Sequence, residues 1–183
     1  MERSTIFAGF GGQGILFAGR VLAEAALLEG REVLWIPSYG PEMRGGTASC
    51  TVIVADRQIG SPIVDRADHA VVLNPPSMAK YTPLVAAGGL LVVNTTLIEA
   101  EPGREDIDVL SLPCTALARK AGDDKLVSVV ALGALVGRRG FVARESVHAA
   151  LARVLGSKRP DMIKLDVAAF EAGYEAGLEP VVA

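Results

Sequence analysis

Gly9-Phe10-Gly11-Gly12-Gln13-Gly14 decides how the chain begins to fold. The stretch matches G-x-G-x-x-G, and the match is informative because of what flanks it. Thr5 to Ala8 is a short apolar run that stops at the glycines, as a buried parallel strand does. On the other side Ile15, Ala18, Leu22 and Ala25 recur at helical spacing over residues 15–29, and Gly30 stands where a left-handed C-terminal cap belongs. Val33 to Ile36 is a second short apolar run, so strand, tight turn, helix and strand are expected to form one right-handed crossover unit. Glycines in such a turn permit positive φ and close approach. The amides of Gly11, Gly12, Gln13 and Gly14 can then donate to phosphate oxygens at the positive end of the helix. A turn serving only to pack helix on sheet has the same sequence.

Working outward, residues 37–46 break every periodicity with two prolines and three glycines, and a loop is expected there at the carboxyl end of the second strand. Thr47 to Ala55 then alternates, with Ala48, Cys50, Val52 and Val54 on one face and Thr47, Ser49 and Thr51 on the other. Ala70 to Leu73 reads as another buried strand stopped by Pro75-Pro76, a short helix is expected over residues 78–87, and Leu90 to Val93 and Val109 to Leu112 are the last strands. Beyond Pro113 the patterns are helical: residues 115–121, 125–136, 144–155 and about 162–176. These elements imply a single domain over residues 1–183. Its fold class is α/β, a Rossmann-like open, mostly parallel sheet with flanking helices and a helical C-terminal third.

Composition narrows the function. The chain has 183 residues, half of them hydrophobic, and a net charge of -3 with its basic residues scattered, which argues against nucleic acid and anionic membrane as partners. Residues 126–136 form the longest apolar stretch, well short of the roughly 20 residues that a bilayer span needs. With no basic, apolar and cleavable leader at Met1, a cytoplasmic protein is expected. Cys50 and Cys114 lack ligand spacing for zinc or an iron-sulfur cluster and read as buried small hydrophobes, and His69 and His148 stand apart from other ligands. No metal site and no catalytic residue are expected on this chain.

The phosphate ligand is narrowed by two missing groups. Mononucleotide loops need Lys and then Ser or Thr after the last glycine, whereas Gly14 is followed by Ile15-Leu16. A nicotinamide site needs an acid ending the second strand, where Ile36-Pro37-Ser38 stands instead, with Glu32 at the wrong end. Next to the turn, Ser38-Tyr39-Gly40-Pro41-Glu42-Met43-Arg44-Gly45-Gly46 carries anion chemistry. Arg44 offers a planar fork of donors, Gly45 and Gly46 allow close approach, and Ser38 and Tyr39 add hydroxyls. A surface pair of Glu42 and Arg44 in a structural loop is the plain alternative.

Together, Gly-Phe-Gly-Gly-Gln-Gly-Ile at residues 9–15 and Ser-Tyr-Gly-Pro-Glu-Met-Arg-Gly-Gly-Thr-Ala at residues 38–48 resemble the gamma subunit of 2-oxoacid:ferredoxin oxidoreductases, the 2-oxoglutarate branch above all. Similarity continues through residues 59–62, Ala67-Asp68, residues 89–94, Leu132-Gly133-Ala134 and residues 169–173. The resemblance implies a subunit, inactive alone, of an enzyme that decarboxylates a 2-oxoacid, forms its acyl-CoA and reduces ferredoxin. Partner alpha and beta chains would carry thiamine diphosphate and magnesium, and a ferredoxin-like delta chain the iron-sulfur clusters. By the same resemblance Gly11, Gly12, Gln13 and Gly14 would hold the coenzyme A pyrophosphate, with Ser38, Tyr39, Arg44, Gly45 and Gly46 completing the site at a subunit boundary. Ser128 and Asp166 replace asparagines of that pattern and are expected to serve packing or the helix surface. A self-sufficient nicotinamide-dependent oxidoreductase, a pyruvate or branched-chain 2-oxoacid specificity, and a pure assembly module are the alternatives.

Overall fold

Five of the six strands run in one direction, and the sixth is inserted among them. The computed structural model describes residues 1–39, 47–156 and 159–179. Strands β1 (Glu2–Phe10), β2 (Glu32–Tyr39), β3 (Thr47–Ala55), β4 (Ala67–Val72), β5 (Val85–Asn94) and β6 (Asp108–Leu112) form one sheet in the order β2-β3-β1-β4-β5-β6. β3 is antiparallel to both β1 and β2, while β1-β4, β4-β5 and β5-β6 are parallel. The expected mostly parallel α/β sheet is therefore present. The crossover is wider than expected, however: helix α1 (Ile15–Leu28) connects β1 to an edge strand two positions away, and β3 fills the gap.

Alternating side chains on the central strands supply two cores. Phe7, Cys50, Val52, Val71, Leu90 and Val92 face the larger one, built with α1 and the C-terminal helices α3 (Cys114–Ala121), α4 (Val127–Arg139), α5 (Arg144–Leu155) and α6 (Pro160–Leu178). Ile6, Ala8, Ala70, Val72, Leu91 and Val93 face the smaller, covered by α2 (Pro75–Tyr81) through Met78 and Tyr81. Period-two burial on both faces is what strands covered on each side require. α4 is buried at every residue from Val127 to Val136, which explains why its sequence shows no polar stripe.

Several boundaries differ from expectation, and three of the differences have a readable cause. β2 continues through Pro37 to Tyr39, so Ser38 and Tyr39 belong to a strand and not to a loop; Pro37 is tolerated because β2 is an edge strand. The helix expected over residues 78–87 is instead α2, a 3-10 turn at Thr82–Leu84 and the first residues of β5, since Asn74 and two prolines start the helix early and Pro83 ends it. α6 begins at Pro160, in the first-turn position that proline favours.

α4 and α6 approach at backbone contact distance. An added Cβ at Gly133 would overlap the carbonyl oxygen of Phe170, and one at Gly173 that of Val130. Asp166, near the start of α6, is 4% exposed, and burial pushes its pKa up to about 6. A carboxyl whose folded pKa lies above its unfolded value favours folding most below the unfolded value, near 3.8, and that contribution is lost as pH rises through about 6. Asp166→Asn is therefore expected to raise stability by on the order of 2 kcal/mol at pH 8 and to leave it nearly unchanged at pH 4, as read by urea unfolding at the two pH values.

Candidate functional site

The glycine turn is shaped by its own side chain. Gln13 folds back so that its Oε1 accepts from the Phe10 amide at 2.6 Å, while the Gln13 amide donates to the Phe10 carbonyl at 3.2 Å. Gly9 leaves room for this: a Cβ there would lie 2.6 Å from Gln13 Oε1 and 2.8 Å from Ile15 Cδ1. Gly12 and Gly14 take φ of 95° and 76°, which an L side chain resists. The turn stays open, since Phe10, Gly11 and Gly12 are exposed and Gln13 and Gly14 half-buried.

Gly14 is the N-cap of α1 and offers no capping side chain, and the first turn of the helix holds no acidic residue. The first intrahelical bond runs from the Ala18 amide to the Gly14 carbonyl at 3.0 Å. The amides of Ile15, Leu16 and Phe17 thus come before any intrahelical acceptor. They point with the helix's positive end toward the open turn, an arrangement that favours an anion.

The third glycine of the motif packs against α4, not against the sheet. A Cβ at Gly14 would lie 2.5 Å from Ser128 Oγ, and that hydroxyl donates to the Gly14 carbonyl at 3.0 Å. Helix-on-sheet contact falls to Gly19 instead, where a Cβ would overlap Cys50 Sγ. Ser128 is fully buried and ties the turn to a helix more than a hundred residues further along the chain. Its packing role agrees with expectation, but its attachment to the glycine turn is visible only in three dimensions. Ser128→Ala is expected to cost about 1 kcal/mol and to loosen the turn, seen as faster amide exchange at Gly14 and Ile15.

Neighbouring strand ends complete the edge. Phe10 pairs with Thr47 and Tyr39 with Ala48, so both ends of the 40–46 segment stand at the carboxyl edge where the glycine turn lies. Ser38 is exposed on the edge strand. Arg44, Gly45 and Gly46 lie outside the described residues. On the other side of β1, α2 covers the opposite face from α1, which makes the β1-β4 junction the point where the chain's winding reverses. There the Leu73 amide donates to the Ala8 carbonyl at 2.9 Å, and Asn74 follows. Asn74 Oδ1 caps α2 by accepting from the Ser77 amide at 2.8 Å, while Asn74 Nδ2 and Ser77 Oγ are buried without a protein partner. These two polar groups beside the crevice were missed in the sequence. The Asn74-Pro75-Pro76-Ser77 capping pattern was the available signal.

Reactive groups are few. Burial pushes both Cys50 and Cys114 thiols up to about 12, so neither is a ready nucleophile. His148 sits 2.5 Å from Glu171, a carboxylate that also pairs with Arg144 and is held below its usual range chiefly by that guanidinium. Among the described residues no group of three or more His, Cys, Asp or Glu side chains is placed to hold a metal, and no helix is long and apolar enough to cross a membrane.

An open, mostly parallel sheet whose first strand ends in an uncapped glycine turn at the winding reversal is a Rossmann-like architecture. Residues 4–176 match the family described as Pyruvate ferredoxin/flavodoxin oxidoreductase, and the chain belongs to that family. It is 38% identical over 176 residues to the ketoisovalerate oxidoreductase subunit VorA of Methanothermobacter thermautotrophicus, covering 95% of this chain and 36% of VorA. The chain thus spans about a third of the length of that relative. It is 35% identical over 171 residues to the 2-oxoglutarate synthase subunit KorC of Archaeoglobus fulgidus, covering 93% and 85% of the two chains. Among solved structures it resembles the keto/oxoacid ferredoxin oxidoreductase gamma subunit of Geobacter sulfurreducens, with a TM-score of 0.85, 29% identity and 97% of each chain covered. The fold also recurs within the 2-oxoglutarate:ferredoxin oxidoreductase of Magnetococcus marinus, solved with 2-oxoglutarate, coenzyme A and succinyl-CoA bound. That match has a TM-score of 0.88 at 22% identity and covers all of this chain and 32% of the other.

Proposed function

We propose that the chain is the gamma-type subunit of a coenzyme A-dependent 2-oxoacid:ferredoxin oxidoreductase and that its glycine turn holds the coenzyme A pyrophosphate. One observation carries this reading: α1 begins with no capping side chain and no acid, at an exposed turn on the sheet's winding reversal. Coenzyme A fits the site better than a nicotinamide, because no acid ends β2 at Ile36, Pro37 or Ser38 to hold ribose hydroxyls. The relatives' names supply the reaction class, and the neighbour solved with coenzyme A and succinyl-CoA supports the ligand.

In this reading Gly11, Gly12 and Gly14 contribute backbone donors, Gln13 shapes the turn because its own amide is bonded to the Phe10 carbonyl, and the strand-end residues Ser38 and Tyr39 with Arg44, Gly45 and Gly46 complete the pocket against a partner chain. Thiamine diphosphate with magnesium on alpha and beta chains carries the decarboxylation chemistry, and clusters on a ferredoxin-like delta chain pass electrons to ferredoxin in the cytoplasm. This chain contributes ligand positioning and assembly. 2-Oxoglutarate is our choice of substrate, with the VorA likeness favouring a branched-chain 2-oxoacid as the second reading.

Copurification of the chain with its partner subunits, followed by an assay of viologen reduction by 2-oxoglutarate and ketoisovalerate, tests the proposal. Reduction that depends on both coenzyme A and this chain supports it. Activity from the isolated chain, or stabilisation of that chain by NAD and not by coenzyme A, overturns it.

A further inference from the structure

At the end of the sheet opposite the glycine turn, a cavity of about 330 Å3 opens between the first residues of β1, β4 and β5 and the end of α4. Arg3, Asp68, His69, Arg139, Phe141 and the backbone of residues 86–89 line it, and none of them belongs to the site described above. Its floor is His69, 4% exposed, with the ring stacked on Phe141 at 5.0 Å between centroids. His69 Nδ1 lies 3.2 Å from the buried Thr5 hydroxyl. Either partner can donate across this contact; with the hydroxyl donating to Nδ1 the ring proton sits on Nε2, which is the tautomer that an anion in the cavity selects. That N–H has no protein acceptor among the described residues, on a ring that lines the cavity.

The nearby carboxylates are already engaged. Asp68 accepts from the Ser4 amide at 2.8 Å, the Ser4 hydroxyl at 3.0 Å and Arg3 Nη1 at 3.0 Å. Arg138 grips Asp108 with two bonds of 2.9 and 3.0 Å. Arg139 is left with a 3.5 Å contact to Asp108 and one bond from Nη2 to the Gly88 carbonyl, while its Nε is buried with no partner. Buried donors are normally paired, so an unpaired guanidinium N–H beside a cavity calls for an acceptor. Among the described residues three arginines face two carboxylates here, which leaves one positive charge unmatched.

We propose that this cavity is a second anion site, taking a small oxyanion, a phosphate or carboxylate group, between His69, Arg139 and Arg3. The oxyanion accepts from His69 Nε2 and from the free N–H groups of Arg139 at the floor, with Arg3 closing the exposed rim. Burial holds the empty His69 neutral at pH 7, its pKa pushed down to about 4, so the ring enters as a hydrogen-bond donor and not as a cation.

The chain has two histidines, which makes imidazole NMR a direct readout. Titrating inorganic phosphate into the full chain, at ionic strength held constant with chloride, is expected to move the His69 ring resonances saturably at millimolar concentration and to leave His148 in place. Arg139→Gln is expected to weaken that response at least tenfold, and Arg3→Gln by a smaller factor. Gln13→Glu, at the other end of the sheet, is expected to leave it unchanged, which separates this site from the glycine turn. A parallel acetate titration distinguishes the sources: a response to both anions assigns a general oxyanion site, and a response to phosphate alone assigns a phosphate site. The proposal is overturned if His69 does not respond, if its shift grows without saturating, or if Arg139→Gln and Arg3→Gln both titrate like the wild type.

Discussion

Gly173→Ala is expected to remove a large share of the stability of the fold, and Gly133→Ala nearly as much. In an unobstructed helix either change would stabilise by up to about 1 kcal/mol, because alanine is the better helix former. Here the new methyl group meets backbone, not a side chain that can rotate away. At Gly173 it meets the Val130 carbonyl, and at Gly133 the Phe170 carbonyl. Relief requires α4 and α6 to separate along their length, yet α4 is buried on all sides from Val127 to Val136 and cannot shift without opening the larger core. Overpacking of this kind costs about 3 kcal/mol or more, against a typical total of about 5–15 kcal/mol. A fall in melting temperature of roughly 6–12 °C is expected for a chain of this size. Gly60→Ala is the control: nothing lies within 4 Å of its added Cβ, and it should melt with the wild type.

Gln13→Glu is the second large effect, and it has opposite consequences for folding and binding. Gln13 Oε1 accepts from the Phe10 amide, and a carboxylate oxygen performs that task at least as well. A negative charge next to the uncapped start of α1 also suits the helix dipole. The melting temperature is therefore expected to hold or rise slightly. In the proposed site, however, the coenzyme A pyrophosphate lies where this new charge sits, and its affinity is expected to fall at least tenfold, about 1.4 kcal/mol. Loss of binding with retained stability separates a ligand site from a packing turn, which glycine replacement cannot do, since a Cβ at Gly14 also meets Ser128.

How much of this was legible in the sequence follows from the range of the interactions involved. The glycine turn and α1 were readable because a turn and its helix are encoded within one short consecutive stretch, from Thr5 to Gly30. The C-terminal helices were readable for the same reason, and α5 occupies Arg144–Leu155 as its periodicity indicated. Which strands pair is a different kind of fact. β3 has the alternation expected of it, but alternation does not say that it lies between β1 and β2, antiparallel to both. Pro37 suggested a loop because proline removes a donor, and its position on an edge strand makes that donor dispensable.

The site divides along the same line. Gly11 to Gly14 were legible as a turn opening a helix because that geometry is local, and their contact with a ligand belongs to the proposal. Ser128 reaches Gly14 from α4, and Asn74 reaches the crevice from the end of β4, so no spacing in the sequence announces either. Gly14 makes its close contact with α4, whereas Gly19 touches the sheet, a division of labour that the G-x-G-x-x-G spacing does not announce. Arg44, Gly45 and Gly46 lie outside the described residues, and their place in the pocket belongs to the proposal.

The central claim is that the start of α1 binds the coenzyme A pyrophosphate. Calorimetric titration of coenzyme A into the assembled enzyme, comparing wild type with Gln13→Glu at equal melting temperature, tests it most directly. The account predicts a dissociation constant at least ten times higher for Gln13→Glu, with affinity for NAD absent in both. Equal coenzyme A affinity in the two proteins would contradict it.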